Sequence, residues 1–96
     1  MKKIPRSVKV GTYKYKVKRP KVIEIAGVDC DGYFNHLEGE ILVKRGLPAT
    51  YAWVVLIHEC IHGMEFAYNL SFTEKEMDVL DHALVAFLRD NKLVDF

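Results

Sequence analysis

The sequence lacks several features that would define its class. No apolar run reaches the roughly 20 residues that a helix needs to cross a bilayer. The first residues contain no apolar segment of the kind found in secretory signal peptides. Cys30 and Cys60 are the only cysteines, too few for the disulfide framework of a small secreted domain. From these absences we expect a cytoplasmic protein with reduced thiols and no membrane partner.

Acidic residues are also missing from the first 21 residues, which carry nine lysines or arginines. The last 23 residues carry six acids and three bases, although the formal net charge of the whole chain is only +1. Such asymmetry is typical of proteins that bind nucleic acid or acidic partners. Lys14, Lys16 and Lys18, however, alternate with aromatic or apolar residues, as in a strand with one solvated face. We favour the solvated strand and keep nucleic acid as an alternative partner.

Neither repeats nor linkers nor low-complexity segments interrupt the 96 residues, which predicts a single domain over residues 1–96. Half of the residues are hydrophobic, enough for a modest core. The first half of the chain predicts strands. We expect one hairpin from residues 8–10 and 13–17, a more central strand over 22–28, and a second hairpin from 33–37 and 40–44.

Two helices are predicted after these strands. The first is almost wholly apolar, runs from about residue 49 to about residue 68, and ends near Asn69. The second follows a capping box of Thr73 and Glu76 and presents an apolar stripe at positions 77, 80, 84, 87 and 88. A sheet of about four to five strands followed by two helices predicts an α+β domain, with both helices on one face of the sheet.

Residues 58–62 spell H-E-x-x-H within the first predicted helix. Residues four apart lie on one face of a helix, so His58 and His62 can direct their imidazoles at one cation. Glu59 is one step around the helix, where it can reach a water molecule rather than act as a third ligand. This pattern is that of a zinc hydrolase with a carboxylate as general base. The alternative is a pair of satisfied core histidines beside a half-exposed glutamate.

A catalytic zinc ion usually has three protein ligands, so a third ligand is needed beyond the two histidines. Position 68 is tyrosine, whereas a metzincin would have a histidine there. The second helix offers Asp78, Asp81 and His82, which lie beside or within its apolar stripe. We expect at least one of these three side chains to bind the metal, and the residue types alone do not choose among them.

The chain resembles the small zinc metallopeptidase-like proteins of phages and prophages, which are related to ImmA/IrrE-type and minimal gluzincin metallopeptidases. The resemblance extends over most of the chain, and only the H-E-x-x-H pentad is specific. The similar segments are residues 10–13 (VGTY), 32–34 (GYF), 41–43 (ILV), 56–62 (LIHECIH) and 86–91 (AFLRDN).

The resemblance implies a zincin-like fold, a Zn²⁺ cofactor, a peptide or protein substrate, and Glu59 as the catalytic base. It also implies that the third ligand is an acidic residue on the second helix, usually glutamate. Asp78 is the best match, and its shorter side chain is a departure that leaves Asp81 and His82 as alternatives. By analogy with zincins, strand 40–44 would be the sheet edge beside the cleft, where an extended peptide could add as a further strand.

A second interpretation belongs to a different class of protein. The domain could be a non-catalytic binding module that keeps zinc for folding, since a structural metal contributes usefully to the stability of so short a chain. Its partner would be a protein, or nucleic acid bound by the basic N-terminal hairpin. Glu59 separates the two hypotheses, because a structural site has no use for a general base.

Overall fold

The computed structural model describes residues 2–96, and within them the chain forms six strands and two helices. The strands are β1 (Ser7–Val10), β2 (Tyr13–Lys18), β3 (Glu24–Ile25), β4 (Val28–Asp29), β5 (Gly32–Asn35) and β6 (Glu40–Val43). The helices are α1 (Ala49–Tyr68) and α2 (Glu74–Asp90). Four strands form one sheet in the order β1-β2-β6-β5, and β3 and β4 form a separate ribbon. The predicted α+β class, with a small sheet before two helices, is confirmed.

Both predicted hairpins are present. β1 and β2 are antiparallel about Gly11, and β5 and β6 are antiparallel about residues 36–39. β2 and β6 pair in parallel, with Lys16 beside Glu40, so β6 lies inside the sheet and β5 forms its edge. Our prediction that residues 40–44 form the edge is therefore wrong, because β2 occupies the side of β6 that was expected to be free.

Residues 22–28 do not form the predicted central strand. Ala26 and Gly27 both have positive φ, 51° and 78°, and two such residues in succession reverse the chain as in the tight turns of hairpins. The result is the short β3–β4 ribbon, in which Ile25 pairs with Val28. Ile23 is buried, but Val22 and Val28 are mostly exposed. The apolar composition of residues 22–28 suggested that its valines and isoleucines are buried, but only Ile23 is fully buried.

Helix α1 has the predicted bounds and covers one face of the sheet. Pro48 precedes its first turn, and Asn69 ends it in the left-handed conformation. Its buried residues pack on β1, β5 and β6 to form the core. The most deeply buried members of that core are Tyr15, Ile41, Val43 and Leu56. No helix within residues 2–96 is long and apolar enough to span a membrane.

Helix α2 packs on α1, so the face of the sheet is covered chiefly by α1 alone and not by both helices as expected. The predicted capping box is present: Thr73 Oγ1 accepts a hydrogen bond from the Glu76 amide, and the Glu76 carboxylate accepts one from the Thr73 amide. The capping box supplies hydrogen-bond partners for backbone amides at the start of α2, so these amides need no partners from the sheet.

The inward face of α2 differs from the predicted apolar stripe. Met77, Asp81 and Val85 are its buried residues, whereas Leu84 and Phe87 are exposed. These three buried positions are spaced four residues apart and form one line along the helix. Asp81, which the sequence placed beside or within the stripe, is the carboxylate at the centre of this buried line.

Candidate metal centre

The two motif histidines lie one turn apart on the same side of α1. Their ring centroids are 5.0 Å apart and the rings are nearly perpendicular. The His58 side chain is 18% exposed and the His62 side chain 31%, so both border solvent without being surface residues. The helix brings them together because residues i and i+4 share a face.

Each imidazole is held by a carboxylate at its Nδ1 atom. His58 Nδ1 lies 2.8 Å from Asp81 Oδ2, and His62 Nδ1 lies 2.9 Å from Glu65 Oε1. An ionised carboxylate only accepts hydrogen bonds, so Nδ1 carries the hydrogen and Nε2 of a neutral ring keeps its lone pair. Histidines that bind metals are oriented in this way. Two imidazoles with free Nε2 atoms, next to further carboxylates, are donors that fit Zn²⁺.

Glu59 is buried between α1 and the edge strand, with only 6% of its surface exposed. Gly32 of β5 makes this possible. A Cβ atom at position 32 would lie 2.8 Å from Glu59 Oε2 and 2.5 Å from Val55 Cγ1, so a larger residue cannot fit without displacement. Burial raises the pKa of Glu59 from 4.5 to about 7. His58, when protonated, opposes this pKa increase, while the charges of Glu74 and Asp81 add to it.

A cleft made of two adjoining cavities runs along this part of the molecule, and the two cavities share Gly32, His58 and Glu59. Its walls come from the β5 region, from α1 and from α2. The first cavity is also lined by Asp31, Tyr51, Val54, Val55, Asp78, Asp81 and His82, and the second by Tyr33, Phe34 and His62. His58 and Glu59 therefore border the same cavity as the three candidates of α2, whereas His62 borders the adjoining cavity.

The three α2 residues differ in their surroundings. Asp81 is buried and accepts hydrogen bonds from His58 and His82. The Asp78 side chain is 68% exposed, with Oδ1 3.8 Å from His58 Nδ1. His82 is exposed, and the Asp78 carbonyl and the Asp81 carboxylate raise its pKa. Asp81 therefore holds His58 through a hydrogen bond, while the side chains of Asp78 and His82 are more exposed to solvent.

One group of donor atoms within residues 2–96 is close enough to hold a cation as it stands. It consists of His58, Asp78 and Asp81, with one ligand atom of each within 4.8 Å of the others. His62 lies outside this group. Such a group is not specific for zinc, since carboxylates and imidazole bind several divalent metals. The choice of Asp78 as the third ligand stays a prediction.

Sequence reasoning missed Glu74 and Asp31. The charge of Glu74 is near enough to raise the pKa of Glu59, and its position four residues before Asp78 is the signal that could have revealed it. Asp31 accepts a hydrogen bond of 2.8 Å from the Tyr51 hydroxyl. This bond raises the pKa of Tyr51 to about 12, so the hydroxyl remains a donor at neutral pH.

The geometry of the cleft is the basis for assigning a function, because comparison of the chain with protein-family models, curated proteins and solved structures gives no match.

Proposed function

We propose that the protein is a zinc-dependent metallopeptidase with a zincin-like site, in which His58 and His62 bind the metal and Glu59 is the general base. One observation carries the proposal. Both motif histidines have Nδ1 hydrogen-bonded to a carboxylate, which leaves Nε2 for a cation, and the adjacent glutamate is buried beside them. Two satisfied core histidines would account for the two carboxylates but not for the buried glutamate beside them.

The chemistry follows from the residues around the cleft. Bound zinc would act as a Lewis acid toward a water molecule and toward the carbonyl group of a peptide bond. Glu59 accepts a proton from water and returns it to the leaving amine. His82 borders the same cavity as His58 and Glu59, and its imidazole, when protonated, can donate a hydrogen bond to the reacting carbonyl oxygen.

The third ligand comes from α2. Asp78 is our first candidate because its exposed carboxylate borders the same cavity as His58 and Glu59, whereas Asp81 is engaged in holding His58. Glu74 is the second candidate, since it is a glutamate one turn earlier whose charge acts on Glu59. Zinc content of Asp78→Ala and Glu74→Ala, measured by elemental analysis, separates the two: the true ligand is the one whose loss removes the metal.

The edge strand β5 suggests how a peptide would bind. Its outer backbone groups have no strand partner within residues 2–96, and Gly32, at its start, lies against Glu59. An extended peptide that pairs with β5 would pass beside the motif histidines, as in β-strand addition. We therefore propose an unfolded segment of a protein or peptide as the substrate, and the cytoplasm as the compartment.

The test combines metal content with turnover. Protein purified without a His-tag should carry about one zinc per chain, and His58→Ala should lose it. Glu59→Gln should keep the zinc and lose cleavage of a mixture of unstructured peptides, read by mass spectrometry. Glu38→Gln, at an exposed turn residue, is the matched control and should behave as wild type. Wild-type protein that takes up no zinc when it is offered would contradict the proposal.

A second candidate function rests on the outer face of the sheet. The register of β1, β2 and β6 places Lys9, Lys14, Lys16 and Lys18 on the face away from α1, all exposed. Lys9 and Lys14 are direct cross-strand partners, an arrangement of like charges that destabilises a sheet. Only Lys18 of these four has an ion-pair partner within residues 2–96, and that partner is Glu40.

A flat face of lysines fits the phosphate backbone of nucleic acid better than a protein, because protein interfaces are depleted in lysine. In this second function the zinc serves folding. Binding of a DNA duplex should weaken with salt, and the double variant Lys14→Gln/Lys16→Gln should reduce the slope of log K against log salt by about two. Lys75→Gln on α2 is the control. Absence of DNA binding at low salt would contradict this function. Loss of peptide cleavage in Glu59→Gln would also contradict it, because the zinc site would then be catalytic.

A further inference from the structure

Glu65 lies outside the H-E-x-x-H motif, and both oxygens of its carboxylate make hydrogen bonds. Oε1 lies 2.9 Å from His62 Nδ1, one turn back along α1. Oε2 accepts a hydrogen bond of 2.8 Å from the backbone amide of Phe72. The side chain is only 20% exposed, so both bonds are sheltered from water and are correspondingly stronger.

The backbone of Glu65 has a role at the same place. Its carbonyl oxygen accepts hydrogen bonds from the amides of Asn69 and Leu70, which end α1. Phe72 immediately precedes Thr73, the N-cap of α2. A single residue thus contacts the second motif histidine, the end of α1 and the segment that starts α2.

The other histidine is joined to α2 as well. Asp81, in the middle of the buried line of α2, holds His58 Nδ1. Both imidazoles of α1 are therefore linked to α2, His58 directly through Asp81 and His62 through Glu65 and Phe72. Displacement of α2 from α1 would break the Asp81–His58 hydrogen bond directly, and displacement of Phe72 would remove the second contact that holds the Glu65 carboxylate against His62.

We propose that Glu65 is a positioning residue of the metal centre: it fixes His62 with hydrogen on Nδ1, and it couples cation binding at the two histidines to the docking of α2 on α1. The inference rests on the proposed function for the identity of the cation. Coupling of this kind is reciprocal, so zinc stabilises the docked α2 and a docked α2 strengthens zinc binding.

Glu65→Gln separates orientation of His62 from support of the backbone. Glutamine has one acceptor oxygen and one donor amide. With the oxygen kept on the Phe72 amide, the NH₂ group faces His62 Nδ1 as a donor. Neutral His62 must then carry its hydrogen on Nε2, where it blocks metal binding. Glu65→Ala removes both bonds, and Glu38→Gln is the control at an exposed turn.

The first measurement is the tautomer of His62 in metal-free protein at pH 8, from the ¹⁵N chemical shifts of the imidazole. We expect hydrogen on Nδ1 in wild type and in the control, and on Nε2 in Glu65→Gln. Wild-type His62 with hydrogen on Nε2 would overturn the proposal, and so would an unchanged tautomer in Glu65→Gln. This readout needs no zinc and no enzymatic activity.

The second measurement is zinc affinity, by competition with a chelator, together with amide hydrogen exchange. Both Glu65 variants should bind zinc about 10- to 100-fold more weakly than wild type. Zinc should slow exchange of the Phe72 amide and of α2 in wild type, and should do so less in Glu65→Ala. Equal zinc affinity in wild type and Glu65→Gln refutes the coupling. Absence of zinc binding in wild type refutes the proposed function, and the tautomers then still decide whether Glu65 orients His62.

Discussion

The burial of Glu59 predicts that metal-free protein loses stability as the pH rises. The pKa of Glu59 is about 7 in the folded protein, against an ordinary value of 4.5. Below pH 4.5 the carboxyl group is protonated in both the folded and the unfolded state, so this contribution to stability is fully present. Between pH 4.5 and 7 the unfolded chain releases the proton and the folded protein retains it, and the free energy of unfolding falls.

The size of the effect follows from the shift in pKa. Each pKa unit corresponds to about 1.4 kcal/mol, so a shift from 4.5 to about 7 amounts to about 3 kcal/mol. Glu59→Gln removes the titrating group and keeps the shape of the side chain. The free energy of unfolding of Glu59→Gln minus that of wild type should therefore increase by about 3 kcal/mol from pH 4 to pH 8. Most of this increase should lie between pH 4.5 and 7.

Urea unfolding of metal-stripped wild type and Glu59→Gln, followed by Trp53 fluorescence at pH 4, 6 and 8, measures this difference. Glu38→Gln reports the effect of losing one carboxylate at an exposed turn. Zinc should make the wild-type stability less dependent on pH, because a nearby cation favours the ionised carboxylate. A difference that stays constant from pH 4 to 8 in metal-free protein would show that Glu59 is not buried beside the histidines, and the argument for a general base would fail with it.

Three further substitutions test the geometry of the centre. Gly32→Ala should lower stability by about 1–3 kcal/mol and reduce peptide cleavage while zinc stays bound, because the new methyl group displaces Glu59; unfolding and turnover assays check this. Asp81→Ala should weaken zinc binding about 10- to 100-fold in chelator competition, since His58 loses its acceptor. Thr73→Ala should cost about 1 kcal/mol in urea unfolding through loss of the α2 cap, and an unchanged midpoint would contradict the capping box.

The elements that sequence reasoning identified are those with strong local signals. Gly11 between two alternating segments indicates the first hairpin, and the Thr73–Glu76 spacing indicates the start of α2. The helix that carries the motif was recognisable from its length and apolar composition, and its C-terminal end from Asn69. In each case the residues that determine the structure are close together in sequence.

The errors concern pairings between distant segments. The apolar composition of residues 22–28 is compatible with a central strand, and the turn at Ala26 and Gly27 requires an alanine with positive φ, which its residue type does not indicate. The parallel pairing of β2 with β6 joins residues more than twenty positions apart, so no local pattern reveals that β5 rather than β6 is the edge.

The site divides in the same way. His58, Glu59 and His62 were identified because one helical turn determines their spacing, and their arrangement on α1 is as expected. The third ligand was left open among three residues of α2, because the rotation of that helix about α1 decides which of them faces the histidines. Leu84, a member of the predicted stripe, is exposed, whereas Asp81 is buried and hydrogen-bonded to His58.

The buried carboxylates also bear on the choice between the two functions. A histidine or carboxylate that is removed from water requires hydrogen-bond partners. If a partner is itself buried, its own polar atoms need hydrogen bonds as well. Asp81 and Glu65 meet that requirement for the histidines, but the strongest influence on Glu59 is burial itself, which makes its charged form unfavourable without a cation. A structural zinc site gains nothing from such a residue, and valine or alanine at position 59 would stabilise the metal-free fold. A buried Glu59 is consistent with a site in which this carboxyl group accepts and returns a proton. The pH dependence of stability and the loss of cleavage in Glu59→Gln test this interpretation on the same side chain.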